Sequence, residues 1–205
     1  MSKKVVLATR NLGKLEELER MLQAACLDLQ VLGLKEFPEM PDVEESGSTF
    51  GENALLKAEQ ISAFTGLPAL ADDSGLCVDS LGGAPGIYSA RWAGRHGDDK
   101  ANLEKVLREL RELENPSLSA RFRCAVALVI PGTYPGGAQS IIREGQVVGN
   151  LVLEPRGRNG FGYDPIFQPE GYTQTTAELP SEIKDQIGHR GQALRAILPE
   201  LIRLL

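Results

Sequence analysis

The sequence has few of the residues that build disulfide frameworks or zinc sites. Its three cysteines, Cys26, Cys77 and Cys124, are far apart and form no CxxC pair, and its two histidines are His96 and His189. An odd, scattered set of cysteines argues against disulfides and fits a reducing compartment. So few cysteine and histidine ligands also argue against a structural zinc site. Any metal is therefore expected to be a hard cation bound by carboxylates.

Long apolar runs and positive charge are also scarce. The longest apolar run, at 124–131, is about eight residues, whereas a membrane helix needs about 20. The first run, at 4–8, is too short for a signal peptide. With 22 Lys and Arg against 28 Asp and Glu, the formal net charge is −6, which disfavours a general nucleic-acid binder. These features predict a cytoplasmic protein with neither a membrane nor a nucleic-acid partner.

The residues that are present predict a single α/β domain over residues 1–205. At 42% apolar and 24% charged, this length is enough to bury a core. β-branched and apolar runs predict strands, and apolar residues recurring every three or four positions predict helices. The predicted strands are 4–8, 27–34, 67–71, 120–130 and 139–148, and the helices start near 14 and 50 and span 98–113, 177–186 and 192–204. This alternation, followed by a hairpin, predicts a mixed sheet.

The segment TRNLGK at 9–14 lies between the first predicted strand and the first predicted helix. Backbone N–H groups at a helix N-terminus favour an anion, and Lys14 adds a full positive charge. Thr9 and Asn11 add hydrogen-bonding groups. The Walker A pattern is absent, so an ordinary strand–helix turn with a solvated lysine remains the alternative.

Two acidic segments suggest a metal site. Asp72-Asp73-Ser74-Gly75 is expected to end a strand, and Glu44-Glu45 precedes the second helix. Ligands of open α/β sheets usually bind at strand ends, and two or three carboxylates with phosphate and water can hold Mg²⁺. An aspartate beside the metal can orient or deprotonate a water molecule. The alternative is a turn, which Asp, Ser and Gly also favour.

The segment GFGYD at 160–164 suggests a site for a flat ligand. Glycines on both sides of Phe161 allow a ligand to approach the ring, and aromatic–base stacking is worth ~1–3 kcal/mol in nucleic-acid systems. Asp164 can accept a hydrogen bond from a base N–H. The alternative is a glycine-rich turn with Phe161 packed inside.

Cationic residues near the C-terminus complete the pattern. Lys184 and Arg190 offer donors to a phosphate or to a base oxygen, while a structural role remains the alternative for His189. An anion loop, acidic metal ligands, a stacking aromatic and a cationic tail together predict a magnesium-dependent site for a nucleoside triphosphate.

On these motifs the chain resembles the inosine/xanthosine triphosphate pyrophosphatases, which remove non-standard purine nucleotides. The matching segments are LATRNLGKLEEL at 7–18, TFGENALLKA at 49–58, ALADDSGLCVDSLGGAPGIYSARWAG at 69–94, NGFGYDPIF at 159–167 and GHRGQAL at 188–194. The chain departs from the family at Gly188, where a serine is usual. That serine either caps the last helix or contacts the base or sugar.

The resemblance implies an elongated, two-lobed α/β fold with a mixed sheet, flanking helices and a central cleft, and a homodimer. It implies hydrolysis of ITP, dITP and XTP between the α and β phosphates to a nucleoside monophosphate and pyrophosphate, with Mg²⁺ as cofactor. A pyrophosphatase for modified pyrimidine nucleotides and a non-catalytic nucleotide sensor remain the alternatives. The metal carboxylates Glu44 and Asp73 argue against the sensor.

The resemblance also implies residue roles. Asp73 is expected to be the base that activates water, and Glu44 and Asp73 to bind the metal. The expected triphosphate ligands are Thr9, Arg10, Asn11, Leu12, Gly13, Lys14 and Lys57. The expected contacts to the rest of the substrate are Ser74, Phe161, Gly162, Tyr163, Asp164, Lys184, His189 and Arg190. A donor from His189 or Arg190 to a 6-keto oxygen would disfavour ATP, whose 6-amino group is itself a donor. It would not disfavour GTP.

Overall fold

A computed structural model describes residues 3–25, 29–134 and 136–205 of the chain. Within these ranges six strands form one sheet in the order β2-β1-β3-β4-β5-β6. β1 pairs in parallel with β2 and β3, and β5 pairs antiparallel with β6, so the predicted mixed sheet is confirmed. The bounds are β1 Lys3–Leu7, β2 Leu29–Gly33, β3 Ala69–Val78, β4 Ser119–Ile130, β5 Gln139–Leu151 and β6 Phe167–Pro169. Cys26 and residues 27–28 of the second predicted strand lie outside the described residues.

Helices flank the sheet, and side chains cap the first turns of the first two. Asn11 accepts a hydrogen bond from Lys14 N, and Thr49 accepts one from Glu52 N. Gly66 ends the second helix in the left-handed conformation, at φ 68°, which costs glycine little. The bounds are α1 Leu12–Ala24, α2 Phe50–Thr65, α3 Asp99–Glu112, α4 Ser181–Ile187 and α5 His189–Leu204.

The prediction that a strand ends at the DDSG segment is wrong, and so is the alternative of a turn. β3 continues through Asp72 and Asp73 to Val78. Backbone packs directly onto Gly75, since a Cβ there would lie 2.3 Å from Gly86 O. Cations paired with the two carboxylates allow these acidic residues to lie in a buried strand.

The C-terminal helices also differ from their predicted bounds. α4 begins at Ser181, not at 177, because Pro180 holds an extended conformation at φ −57° and ψ 148° and has no N–H to donate. The break between the helices is a single residue, Gly188. His189 and Arg190 therefore form the first turn of α5.

The chain divides into two compact units, each with its own core. Unit 1 comprises Met1–Asp73, Cys124–Gly145 and Arg190–Leu205, and unit 2 comprises Ser74–Arg123 and Gln146–His189. The core of unit 1 includes residues of β1, α1, β4 and α5, among them Val5, Leu18, Val126 and Ile197. The core of unit 2 includes residues of β3, α3 and β6, among them Leu76, Val106, Leu110 and Phe167. The single domain over 1–205 stays a prediction. None of the helices in the described ranges has the length and hydropathy needed to cross a membrane.

Candidate active site

The first group of candidate residues surrounds Asp73 in unit 1. Asn53 and Lys57 are four residues apart on α2, so both side chains point to the same side of the helix. Asn53 Nδ2 donates to Asp73 Oδ2 over 3.1 Å, and Lys57 Nζ lies 3.8 Å from Asp73 Oδ1. Lys57 Nζ also donates to Glu45 Oε1 over 2.7 Å. We call Asp73, Asn53, Lys57 and Glu45 the Asp73 cluster.

Burial and neighbouring charges shift the pKa values of Asp73 and Lys57. Burial raises the pKa of Asp73; the charges of Lys57 and Lys14 oppose that rise without cancelling it. Burial lowers the pKa of Lys57, but the surrounding carboxylates, chiefly Asp73 and Asp72, raise it above its usual value. Lys57 therefore stays an ammonium group at neutral pH. Asp73 binds a proton more readily than an exposed aspartate, which suits a residue that accepts a proton from water.

Asp72, next in the chain, is the centre of a buried ion-pair network. It is 1% exposed, and its Oδ2 lies 3.0 Å from Lys14 Nζ and 3.1 Å from Arg190 Nε. Arg190 also pairs with Glu17. Burial alone would raise the pKa of Asp72, but Lys14, Arg190 and Lys57 lower it well below its usual range. The network joins α1, β3 and α5 within unit 1.

The anion loop at 9–14 is ordered by its own side chains. Thr9 Oγ1 accepts from Asn11 N over 3.2 Å, and Asn11 Oδ1 accepts from Lys14 N over 3.1 Å. Leu12 and Gly13 form the first turn of α1, and Leu12 is 58% exposed. The loop is thus preformed at a helix N-terminus, and its role toward phosphate stays a prediction.

Three other predicted residues lie outside the Asp73 cluster. Arg10 is exposed, donates to Met40 O over 2.7 Å and pairs with Asp42 at 2.8 Å. Glu44 is exposed, and its neighbour Glu45 makes the contact with Lys57. Ser74 follows Asp73 in β3 and is half-buried. Their roles stay predictions.

The second group of candidate residues, in unit 2, is the GFGYD segment at 160–164, which we call the Phe161 loop. Asp164 Oδ2 accepts from Phe161 N over 2.9 Å and from Lys184 Nζ over 2.6 Å. Lys184 Nζ also lies 5.0 Å from the centroid of the Phe161 ring. Residue 160 must be glycine, because a Cβ there would lie 2.1 Å from Asp164 Oδ2. Asp164 therefore holds the ammonium group of Lys184 over the face of the Phe161 ring, as a cation–π contact.

Buried hydrogen bonds of Asp164 and Tyr163 also hold this loop in place. Asp164 is 3% exposed, and Thr176 Oγ1 donates to its Oδ1 over 2.8 Å. Tyr163 is buried, and its hydroxyl donates to Ser89 O over 2.8 Å. Burial, with the nearby charges of Asp99 and Glu109, raises the pKa of Tyr163, so this hydroxyl keeps its proton.

His189 and Arg190 are adjacent in sequence but lie in different units. His189 belongs to unit 2, is 8% exposed and stacks on Phe122 with ring centroids 4.8 Å apart. Arg190 belongs to unit 1 and makes the ion pairs with Asp72 and Glu17. Both have a structural role, and their contact with substrate stays a prediction.

The sequence pattern placed Glu45 beside Glu44 in an acidic segment, but it assigned neither Asn53 nor Glu17 to a site. Asn53 and Lys57 at positions i and i+4 of one helix were the available signal, because a buried amide and a lysine on one face need a polar partner. Glu17 carried no such signal, since its partner Arg190 is 173 residues away.

The residues around Asp73 fit a divalent cation that arrives with a phosphate. Among the described residues no group of three acidic, histidine or cysteine side chains is arranged to hold a metal ion. Asp73 offers a carboxylate whose ionised form a cation would stabilise, because burial raises its pKa. A hard cation takes its remaining ligands from phosphate oxygens and water, so a closed protein cage is not required.

Each unit carries chemistry that a nucleotide needs: carboxylate, amide and ammonium groups in unit 1, and an aromatic ring beside an ammonium group in unit 2. With the mixed α/β sheet, these features are typical of the class of nucleotide-binding α/β proteins. Comparison with known families is more specific. The chain belongs to the Ham1 family, whose model matches residues 5–200.

Individual relatives cover nearly the whole chain. A dITP/XTP pyrophosphatase of Streptomyces avermitilis is 52% identical over 202 residues, which is 98% of this chain and 98% of that protein. A dITP/XTP pyrophosphatase of Bacillus licheniformis is 49% identical over 195 residues, 95% of this chain and 96% of that protein. The solved structure of a HAM1 protein from Coxiella burnetii matches with a TM-score of 0.85 and 42% identity, covering 98% of this chain and 99% of that one. The resemblance found from the motifs is confirmed.

Proposed function

We propose that this protein hydrolyses the non-standard purine nucleoside triphosphates ITP, dITP and XTP between the α and β phosphates. The products are a nucleoside monophosphate and pyrophosphate, so the enzyme would clear such nucleotides from the cellular pool. The Asp73 cluster carries this proposal, because it combines a proton acceptor, an orienting amide and a fixed cation. The relatives named dITP/XTP pyrophosphatases, at 49% and 52% identity, support the substrate class. Neither alternative, a pyrimidine enzyme or a sensor, is favoured.

In the proposed reaction Asp73 accepts a proton from water as the water oxygen forms its bond to the α-phosphorus. The bond between that phosphorus and the oxygen of the leaving pyrophosphate breaks. Asn53 holds the Asp73 carboxylate in place, and Lys57 offsets the negative charge that develops on the phosphates. The anion loop at 9–14, with Lys14, binds the triphosphate.

A divalent cation is expected for a nucleotide pyrophosphatase, and we propose Mg²⁺ held by Glu44 and Asp73 together with phosphate oxygens. When bound, the cation neutralises phosphate charge and stabilises the leaving pyrophosphate. Glu45 lies beside these residues and keeps Lys57 in place through its 2.7 Å contact.

The Phe161 loop is proposed to bind the base. In this proposal the Phe161 ring supplies a stacking surface, and Lys184, whose ammonium group lies 5.0 Å from the ring centroid, donates to a 6-keto oxygen. The guanidinium of Arg190 pairs with Asp72 and Glu17 and so holds unit 1 together, and its contact with the base is proposed only on the family resemblance. We place Ser74, Gly162, Tyr163, Asp164 and His189 around the substrate only on the family resemblance.

The same resemblance supports a cytoplasmic homodimer. Light scattering after gel filtration would test the dimer, with a mass near twice 22.2 kDa expected. A mass near 22.2 kDa across the working concentration range would contradict it.

The function is tested by pyrophosphate release from ITP, XTP, GTP and ATP with Mg²⁺, for wild type, Asp73→Asn and Asp79→Asn. Asp79 is a matched control because it is an aspartate near the end of the same strand that pairs with Arg121 in unit 2. We expect rapid release from ITP and XTP, little from GTP and ATP, and a loss of about 10²-fold or more in Asp73→Asn only.

Other results of this assay have definite meanings. ITP binding without pyrophosphate release by the wild type would favour the nucleotide sensor. Equal turnover of all four nucleotides would contradict base selection by the Phe161 loop and Lys184 but not the pyrophosphatase activity.

A further inference from the structure

Asp99 lies outside every motif that points to the base site, yet it holds the Phe161 loop. Gly162 N donates to Asp99 Oδ2 over 2.9 Å, although 63 residues separate the two in the chain. Asp99 is the first residue of α3. The preceding Asp98 has a different task, since it caps α3 by accepting from Ala101 N over 3.1 Å.

The Phe161 loop has a conformation that needs such support. Gly160 and Gly162, on either side of Phe161, have φ values of 73° and 60°. Glycine adopts these angles without steric cost, but it loses more conformational freedom on folding than any other residue. Asp164 Oδ2 accepts a hydrogen bond from the N–H of Phe161, and Asp99 Oδ2 accepts one from the N–H of the next residue, Gly162. The peptide groups that carry the ring are therefore both fixed.

We propose that Asp99 is a positioning residue for base recognition, which fixes the Phe161 ring by holding the amide of Gly162. A carboxylate acceptor makes this hydrogen bond charge-assisted and stronger than a bond to a neutral group. The anchor is built entirely within unit 2. The nature of the ligand rests on the function proposed above, whereas the anchoring of the loop does not.

The proposal is tested with three variants, Asp99→Ala, Asp99→Asn and Asp98→Ala. Asp99→Ala removes the acceptor, and asparagine keeps a side-chain oxygen at the same position. Asp98→Ala removes the cap of the same helix without touching the loop. For ITP we expect Asp99→Ala to raise KM about tenfold with kcat within about threefold of wild type. Asp99→Asn and Asp98→Ala should keep KM within about threefold of wild type.

Hydrogen exchange provides a readout that does not depend on turnover. The peptide covering residues 159–164 should exchange faster in Asp99→Ala than in wild type, Asp99→Asn or Asp98→Ala, because the Gly162 amide loses its acceptor. A wild-type KM and wild-type exchange in Asp99→Ala would overturn the proposal. Equal rises in KM for Asp99→Ala and Asp98→Ala would also overturn it, since they would reflect α3 stability alone.

A failure of the proposed function gives a different pattern. If wild type releases no pyrophosphate from ITP, that function is contradicted, and calorimetric titration with ITP replaces KM as the readout. Weaker ITP binding and faster exchange in Asp99→Ala alone would still support the role of Asp99. Unchanged exchange in that variant would overturn it.

Discussion

The side chain of Asn53 joins Asp73 to the loop that precedes α2. Asn53 Nδ2 donates to Asp73 Oδ2 over 3.1 Å, and its Oδ1 accepts from Gly47 N over 2.8 Å. Asn53 is fully buried and Asp73 nearly so. Because an amide is neutral, it orients the carboxylate without pairing its charge. The negative charge of Asp73 is balanced by the ammonium group of Lys57, whose Nζ lies 3.8 Å from Asp73 Oδ1.

Asn53→Ala should reduce both stability and activity. It leaves the Gly47 N–H and one Asp73 oxygen without this partner, and each such loss costs about 1–3 kcal/mol. We therefore expect the free energy of unfolding to fall by about 2–4 kcal/mol, and kcat for ITP to fall more than KM rises. Urea unfolding and steady-state kinetics measure the two effects.

Ser62→Ala is the matched control for that experiment. Ser62 is a buried polar residue on the same helix, 3% exposed, and its hydroxyl oxygen makes no hydrogen bond within the described part of the chain. We expect its unfolding free energy to stay within about 1 kcal/mol of wild type. Equal effects of the two substitutions would contradict the orienting role of Asn53.

Asp72→Asn should destabilise the protein in a pH-dependent way. Removing the charge takes the carboxylate partner from the buried Arg190 and the half-buried Lys14, which costs about 3–5 kcal/mol at pH 7. The pKa of Asp72 is lower in the folded protein than in the unfolded chain, so its stabilisation is complete above about pH 4 and is lost as pH falls further. The difference in the free energy of unfolding between wild type and Asp72→Asn should therefore be smaller at pH 3 than at pH 7 by about 1 kcal/mol.

Urea unfolding at pH 7 and pH 3 measures this difference, with Asp42→Asn as the control. Asp42 pairs with Arg10 at 2.8 Å, but its side chain is 89% exposed. Exposed pairs contribute at most about 1 kcal/mol. If Asp72→Asn lowered the free energy of unfolding equally at pH 7 and pH 3, the ion pairs of Asp72 would not be what stabilises unit 1.

Replacing Phe161 should weaken binding of the base. Phe161→Leu removes the stacking surface, and we expect KM for ITP to rise about 5- to 150-fold, the range that 1–3 kcal/mol per stacked base gives. Phe161→Tyr keeps an aromatic ring and should stay within about threefold of wild type. A wild-type KM in Phe161→Leu, measured by pyrophosphate release, would contradict stacking on this ring.

Gly188→Ser should not gain the stability that a helix cap normally brings. Residue 188 immediately precedes α5, the place of a cap, but a Cβ there would lie 2.5 Å from Lys184 O. The carbonyl must move, and Lys184 is held to Asp164 at 2.6 Å. We expect a loss of about 1 kcal/mol by urea unfolding and a higher KM for ITP.

The control for Gly188→Ser is Gly33→Ser. No atom lies within 4 Å of a Cβ built at Gly33, and its φ of −91° suits any residue. Its stability should change by less than about 0.5 kcal/mol. A stabilised Gly188→Ser protein would show that the Lys184 carbonyl shifts freely and that the cap dominates.

Local sequence patterns predicted most of the helices and strands. The predicted helix start near 50 and the predicted helix over 98–113 agree with α2 and α3, because caps and amphipathic faces depend on residues close in sequence. The end of the strand at Asp72 was predicted wrongly. Acidic residues, a serine and a glycine normally favour a turn, and the pattern contained no sign of the buried cations that pair with them.

The sequence by itself determined the order of the helices and of the first five strands, the mixed sheet and the family, because these depend on periodicity, caps and motifs that local residues carry. Only the tertiary structure decided which charges meet. It paired Asp72 with Arg190, 118 residues away, and brought Asp99 to Gly162 across 63 residues. Such pairs form only when folding removes the side chains from water, since the cost of burying a charge or an amide depends on partners that no local pattern specifies.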